Sequence, residues 1–164
     1  MRGLETLLPN IEQLAEVLDV PERGRQLADQ LVWDLARISE DILESDRQRG
    51  LYVGKHGDRL YGGTAGTSFY DVLTAGGLID VAAEAGFDGW PAYTNEQLLS
   101  LDPPWIITNP ETKRTLCQHP GFQSLTACQA RQVRSVETRL LTDPGLGIVE
   151  AANAVRAEVY GGND

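Results

Sequence analysis

Basic side chains are scarce in this sequence. Fourteen lysines and arginines stand against 24 acids, a formal net charge of −10. Such a charge opposes phosphate backbones and anionic membrane surfaces, which excludes a nucleic-acid role. Long apolar runs are also missing: no stretch approaches the roughly 20 residues of a membrane span. The opening residues, Met1-Arg2-Gly3-Leu4-Glu5, show neither the apolar stretch nor the small-residue cleavage site of an export signal. Cysteine occurs twice, at Cys117 and Cys128. Cys117-Gln118-His119 lacks the paired short spacings of a zinc site, so no metal is expected. The two cysteines are either a disulfide across a short turn-containing segment, if the compartment is oxidising, or two small buried apolar residues.

Catalytic signals are equally thin. The two histidines, His56 and His119, fall in different loops with no serine or cysteine nucleophile placed beside them, so a hydrolytic triad is unsupported. Gly62-Gly63-Thr64-Ala65-Gly66-Thr67-Ser68 precedes a helix but lacks the lysine and spacing of a P-loop. The expectation is a binding protein and not an enzyme, with no cofactor.

What is present is an orderly α/β pattern in 164 residues, the size of one domain. Asn10-Ile11-Glu12-Gln13 reads as the cap of a short first helix carrying Ile11, Leu14, Ala15 and Leu18. Pro21 opens a second, whose stripe of Leu27, Leu31, Leu35, Ile38 and Ile42, widened by Ala28, Val32 and Trp33, predicts about 25 residues up to Gly50: a strut of well over 30 Å. Beyond Gly50 strands and helices alternate. Leu51-Tyr52-Val53 and Leu60-Tyr61 read as strands flanking a loop at residues 54–58, and Thr67 caps a helix over Phe69, Val72 and Leu73. Trp105-Ile106-Ile107 is a buried strand followed by the cap Asn109-Pro110, and Gln132–Val136 is another strand. Residues 137–147 read as loop, and a last helix carries Ile148, Ala151, Ala152, Val155 and Val159. This predicts a three-layer α/β sandwich with a largely parallel sheet over residues 50–164, preceded by a helical segment at 1–49.

The organising stretch is Gly86 to Thr108. Trp90 stands on a tight loop between Gly89 and Pro91, a suitable place for an aromatic that meets a ligand. Thr94-x-x-Gln97 is a capping box that puts Glu96 in the first turn of a short helix, pointing outward. By itself that acid complements the helix dipole. Together, Trp90 and Glu96 offer a stacking surface and a dock for a partner's arginine.

The order of parts resembles the class III periplasmic substrate-binding proteins of ABC importers, which carry cobalamin, siderophores or haem. The matching residues are Thr67-Ser68-Phe69 through Ala75-Gly76-Gly77, Trp90-Pro91, Thr94-Asn95-Glu96-Gln97 through Asp102-Pro103, Pro120-Gly121-Phe122, Leu125-Thr126-Ala127, and Asp143-Pro144-Gly145. In that family two α/β lobes are joined by one long helix, and the ligand lies between them. The resemblance implies that residues 22–48 are the joining helix and 51–160 the C-terminal lobe, and that the N-terminal lobe and export signal are absent from this sequence.

The resemblance further implies that Trp90 and Phe69 contact the ligand and that Glu96 docks onto the membrane permease. Tyr93 joins the candidate ligand contacts. Residues 137–143 correspond to the loop of polar ligand contacts, where Glu137 sits near an acidic position and Arg139 is the available base, Leu141 occupying the basic position. The implied role is the solute-binding component of an importer for a ferric siderophore, haem or corrinoid, in the periplasm or cell envelope. Its implied partners are the chelate, an ABC permease, and either the missing lobe or a second copy. The alternative is a stand-alone half-protein that acts as a dimerising interaction module.

Overall fold

The computed structural model describes residues 3–57, 59–142 and 145–161. In chain order the elements are α1 (Gly3–Val17), α2 (Pro21–Ile38), β1 (Gln48–Tyr52), β2 (Gly54–His56), β3 (Arg59–Tyr61), α3 (Ser68–Ala75), β4 (Leu78–Asp80), α4 (Val81–Glu84), β5 (Ala92–Tyr93), α5 (Asn95–Leu101), β6 (Trp105–Thr108), α6 (Pro110–Leu116), α7 (Thr126–Gln129), β7 (Val133–Ser135), α8 (Thr138–Thr142) and α9 (Ile148–Tyr160). Four strands form a parallel sheet in the order β4-β1-β6-β7, and β2-β3-β5 form a small antiparallel sheet beside it. The main sheet has helices on both faces, so the predicted α/β sandwich is the observed one.

Strand alternation builds two cores. Tyr52, Trp105 and Ile107 face a cluster with Leu73, Ala151, Ala152 and Val155 of α3 and α9. Leu51, Val53 and Ile106 face the opposite cluster with Leu98, Leu116, Phe122 and Leu125. All four residues of β6 are buried, as befits a central parallel strand covered on both sides.

The helical segment departs from expectation at both ends. The first helix starts at Gly3, not after Asn10, and runs through Pro9. Its first turn is capped from afar: the Asp71 carboxylate of α3 accepts the Leu4 N–H at 2.6 Å. Leu4, Leu7 and Leu8 pack against the first core and hold the helix despite its internal proline. The strut is shorter than predicted, because α2 stops at Ile38. There the Arg156 guanidinium of α9 caps the Ile38 carbonyl and pairs with both oxygens of Asp41, each at 2.8 Å. Ile42 therefore leaves the stripe. Leu31, Leu35 and Ile38 are buried, whereas Leu27, Val32 and Trp33 are 40%, 48% and 54% exposed.

Regular structure also lies where none is expected, and strand β2 (Gly54–His56) falls within the supposed loop at 54–58, paired with β3. Strand β4 with helix α4 follows Gly77, and α8 occupies much of the supposed loop at 137–147, followed by a 3-10 turn at Gly145–Gly147. Asp58 of the predicted 54–58 loop, Asp143 and Pro144 of the matched motif, and residues 1–2 and 162–164 lie outside the described residues.

Asp80 ends β4 at 2% exposure and serves two segments at once. It accepts the Thr64 hydroxyl at 2.6 Å and the N–H groups of Ala82 and Ala83 at 2.9 and 3.3 Å, capping α4. Burial holds its carboxyl above the ordinary value of 3.8, against the lowering effect of these hydrogen bonds. Folding therefore favours the protonated form: that contribution is complete below about pH 3.8 and is lost as pH rises through the higher folded value. Asp80→Ala is expected to cost about 2–4 kcal/mol in urea unfolding at pH 7, by removing a helix cap and orphaning a buried hydroxyl. Asp80→Asn keeps an acceptor and should flatten the pH dependence above pH 4. An unchanged slope would show that other groups carry it.

Candidate functional site

The site is assembled by two loops that zip together beyond the carboxyl ends of the sheet. Gly62 N–H donates to Pro91 O at 3.0 Å, Thr64 N–H to Gly89 O at 3.1 Å, and Gly89 N–H to Ala65 O at 2.9 Å. Gly89 adopts φ +62°, the left-handed conformation that suits glycine, and this turn delivers Trp90 over the neighbouring loop. Gly63 lies beneath it: a Cβ there would stand 2.9 Å from Phe69 Cδ2 and 3.0 Å from Trp90 Cζ3.

Three aromatic rings then stack in sequence. Trp90, 46% exposed, meets Phe69 edge-on at 5.1 Å and 84°. Phe69, buried at 5%, lies 4.0 Å from Tyr52 at 30°. Tyr52, Tyr61, Phe69 and Trp90 line a groove of about 170 Å³ together with Asn109, Thr138 and Leu141. Tyr52 closes β1 and Asn109 follows β6, and the chain leaves β1 for β4 on one side while β6 lies on the other. The groove thus occupies the switch point of the parallel sheet, the usual crevice for a ligand in an open α/β fold. Burial, and then the neighbouring Tyr61, push the Tyr52 phenol well above its usual pKa. Phenols, an amide and a hydroxyl around stacked rings can hold a flat or bulky solute. No serine, cysteine or histidine lines the groove, and among the described residues no three His, Cys, Asp or Glu side chains gather as a metal site.

Of the residues singled out in the sequence, Trp90 and Phe69 come together here, Trp90 as the exposed wall and Phe69 as its support. Tyr93 does not join them. It is 6% exposed, sits in the second core edge-on to Phe87 at 5.7 Å, and its hydroxyl has no hydrogen-bond partner among the described residues. The pairing of β5 with β3, Leu60 opposite Tyr93, turns it inward. Glu137 and Arg139 do not line the groove either. The Arg139 guanidinium is engaged by Glu137 at 2.8 Å and Glu150 at 2.6 Å, which holds the Glu150 carboxyl below its usual range. Because 138–142 is helical and not loop, Thr138 and Leu141, three apart, share the groove face instead. Tyr52, Tyr61, Asn109 and Thr138 escaped sequence reasoning. Their only signal is position, at or just after strand ends.

Glu96 is the second residue of α5, exposed, with no ion-pair partner among the described residues. The Thr94–Gln97 capping box is complete: Gln97 N–H donates to Thr94 Oγ1 at 3.1 Å, and Thr94 N–H donates to Gln97 Oε1 at 2.9 Å. Cys117 and Cys128 are joined as a disulfide, their Cα atoms 5.6 Å apart, linking the end of α6 to α7.

A parallel sheet with helices on both faces and an aromatic groove at its switch point defines an open α/β lobe. The family model described as periplasmic binding protein matches residues 2–140, and the chain belongs to that family. Among curated proteins it is 22% identical over 155 residues to YvrC of Bacillus subtilis, an uncharacterized ABC transporter substrate-binding lipoprotein, covering 92% of this chain and 49% of that protein. Among solved structures, an ABC transporter substrate-binding protein from Listeria monocytogenes superposes with a TM-score of 0.84 at 15% identity, covering 98% of this chain and 66% of that one. The periplasmic heme-binding protein RhuT of Roseiflexus gives 0.78 at 19% identity, covering 98% and 64%. A periplasmic binding protein of Veillonella parvula gives 0.80 at 19%, covering 99% and 58%. The chain thus spans about half the length of its curated relative and about three fifths of these structures.

The close packing beneath Trp90 makes a direct prediction. Gly63→Ala must displace Phe69 or Trp90, at an expected cost of about 1–3 kcal/mol. In a Trp33→Phe background, iodide should quench the remaining exposed indole more strongly than before the substitution. Unchanged quenching together with unchanged stability would mean that neither ring rests on Gly63.

Proposed function

We propose that this chain is the C-terminal lobe, with its preceding helix pair, of the solute-binding component of an ABC importer for a metal chelate: a ferric siderophore, haem or corrinoid. The observation that carries the reading is Trp90, half-exposed on the Phe69–Tyr52 stack at the sheet's switch point. The likeness in fold to the heme-binding protein of Roseiflexus supports the ligand class. One lobe offers a groove of only about 170 Å³, too small to enclose such a solute, so the second wall comes from another lobe. The exposed Leu14, Val17, Leu27 and Trp33 on α1 and α2, with Leu18 in the turn between them, support an additional covering body. Glu96 is the candidate contact to a permease arginine, and the cell envelope, where disulfides persist, is the proposed location. The family is one of binding proteins, and the groove's donors fit binding without bond-making.

Reciprocal substitutions test the two roles. Trp90→Ala is expected to weaken binding of haemin, a ferric siderophore or cyanocobalamin about tenfold, whichever is bound, measured by fluorescence quenching. Glu96→Ala should leave that affinity unchanged while lowering uptake of the same solute by cells. Full affinity after loss of Trp90 would remove the ligand role of the groove.

The same exposed helical face also favours a second reading, in which a second copy of the chain covers it and the half-protein acts as a dimerising module. Sedimentation over a range of concentrations decides between them. A dimer disrupted by Leu18→Glu with Leu27→Glu would support the module, and a monomer at every concentration would exclude it.

A further inference from the structure

The scarce bases of this chain are not evenly spread. Seven arginines are held in ion pairs with acids. Six other described lysines and arginines have no described carboxylate within ion-pair distance, and four of these, Lys55, Arg59, Lys113 and Arg114, stand on just two elements, the β2–β3 hairpin and α6. They include both lysines of the sequence. Its two histidines, His56 and His119, lie on the hairpin and just beyond α6. Of the four, Lys55 alone lines the space between the two elements, and His119 joins it there.

Between these elements lies a cleft of about 250 Å³. Its polar side chains are Lys55, Asn95, Thr112, Thr115 and His119, over an apolar floor of Leu60, Leu116 and Phe122. The His119 ring stacks on Phe122 at 4.7 Å, and its Nδ1 accepts the Gly121 N–H at 3.2 Å, which leaves Nε2–H as a donor. Glu96 and Glu111, the exposed acids on the bordering helices, do not line the cleft. The cleft is separate from the aromatic groove: on β3, Leu60 faces the cleft and Tyr61 the groove.

We propose that this cleft is a second binding site, for a short organic carboxylate with an apolar stem. An ammonium, an imidazole N–H and an amide offer charge-assisted donors to a carboxylate. Leu60, Leu116 and Phe122 would take methylene groups, which a bare phosphate or sulfate does not have. The volume suits a solute of a few carbons.

Glutarate is the probe, followed by amide NMR on the whole chain at fixed ionic strength. Saturable shifts at Asn95, Thr115, His119 and Phe122 are expected. Lys55→Gln and His119→Gln should each weaken binding about tenfold, the loss of one charge-assisted hydrogen bond. Trp90→Ala should leave it unchanged, which separates this site from the chelate groove. Shifts that grow without saturation, or affinity indifferent to Lys55→Gln, would overturn the proposal. Equal competition by inorganic phosphate would overturn the carboxylate assignment. A glutamate-rich peptide that binds where glutarate does not would likewise overturn it and give the cleft to a protein partner.

Discussion

The buried carboxylate of Asp80 is the constraint on which the upper half of the molecule depends. It joins the end of β4 to Thr64, and Thr64 sits in the loop that exchanges backbone hydrogen bonds with residues 89–91. Through that one carboxylate the edge of the parallel sheet fixes the height of the Gly62–Thr67 loop, and the loop fixes Trp90. The desolvation cost of burying the acid is offset only in part by its three donors, the Thr64 hydroxyl and two cap N–H groups. A groove wall that must present a half-exposed indole cannot rely on packing alone, since only one side of the ring has neighbours. The polar anchor supplies what burial does not.

A similar solution holds the helix that carries Glu96. Helix α5 has seven residues, too few to persist unaided. Its N-terminus is closed by the Thr94–Gln97 box, and its C-terminus by Asp102 in the left-handed region at φ 35°. The Asp102 carboxylate accepts both the N–H and the hydroxyl of Thr126, each at 2.8 Å, at the start of α7. Two residues further on, Cys128 is tied to Cys117 at the end of α6. Short helices on this face are thus cross-linked to one another instead of being held by length. The outcome is an exposed surface whose short helices are held at their ends by polar contacts and a disulfide.

Much of this was legible in the sequence, and the parts that were not share a cause. Local chemistry read correctly: the caps at Thr67, Thr94 and Asn109, the buried strand at Trp105–Thr108 and the last helix are where their residues place them. Errors came where a distant residue decides. Asp71 starts α1 from 67 residues away, and Arg156 stops α2 from 118 residues away, so neither boundary has a local signature. The inward turn of Tyr93 follows from β5 pairing with β3, a register that no pattern of two residues can announce. Tyr52 and Tyr61 read as strand residues, and only the sheet order puts them at a switch point.

Charge shows the same division between local and long-range control. The resemblance implies Arg139 as a ligand contact, the base available in a segment, 137–147, that reads as loop. As a helix the segment presents alternate faces, and Glu150 of α9 captures the guanidinium together with Glu137. The groove is left lined by uncharged side chains, so shape and stacking are what it offers a ligand under the proposed function. Lys55 and His119 lie instead in the other cleft, the one that Leu60 faces from β3 while Tyr61 faces the groove. Stacking and charge recognition are thereby separated by a single strand, and each surface can be altered by substitution without touching the other.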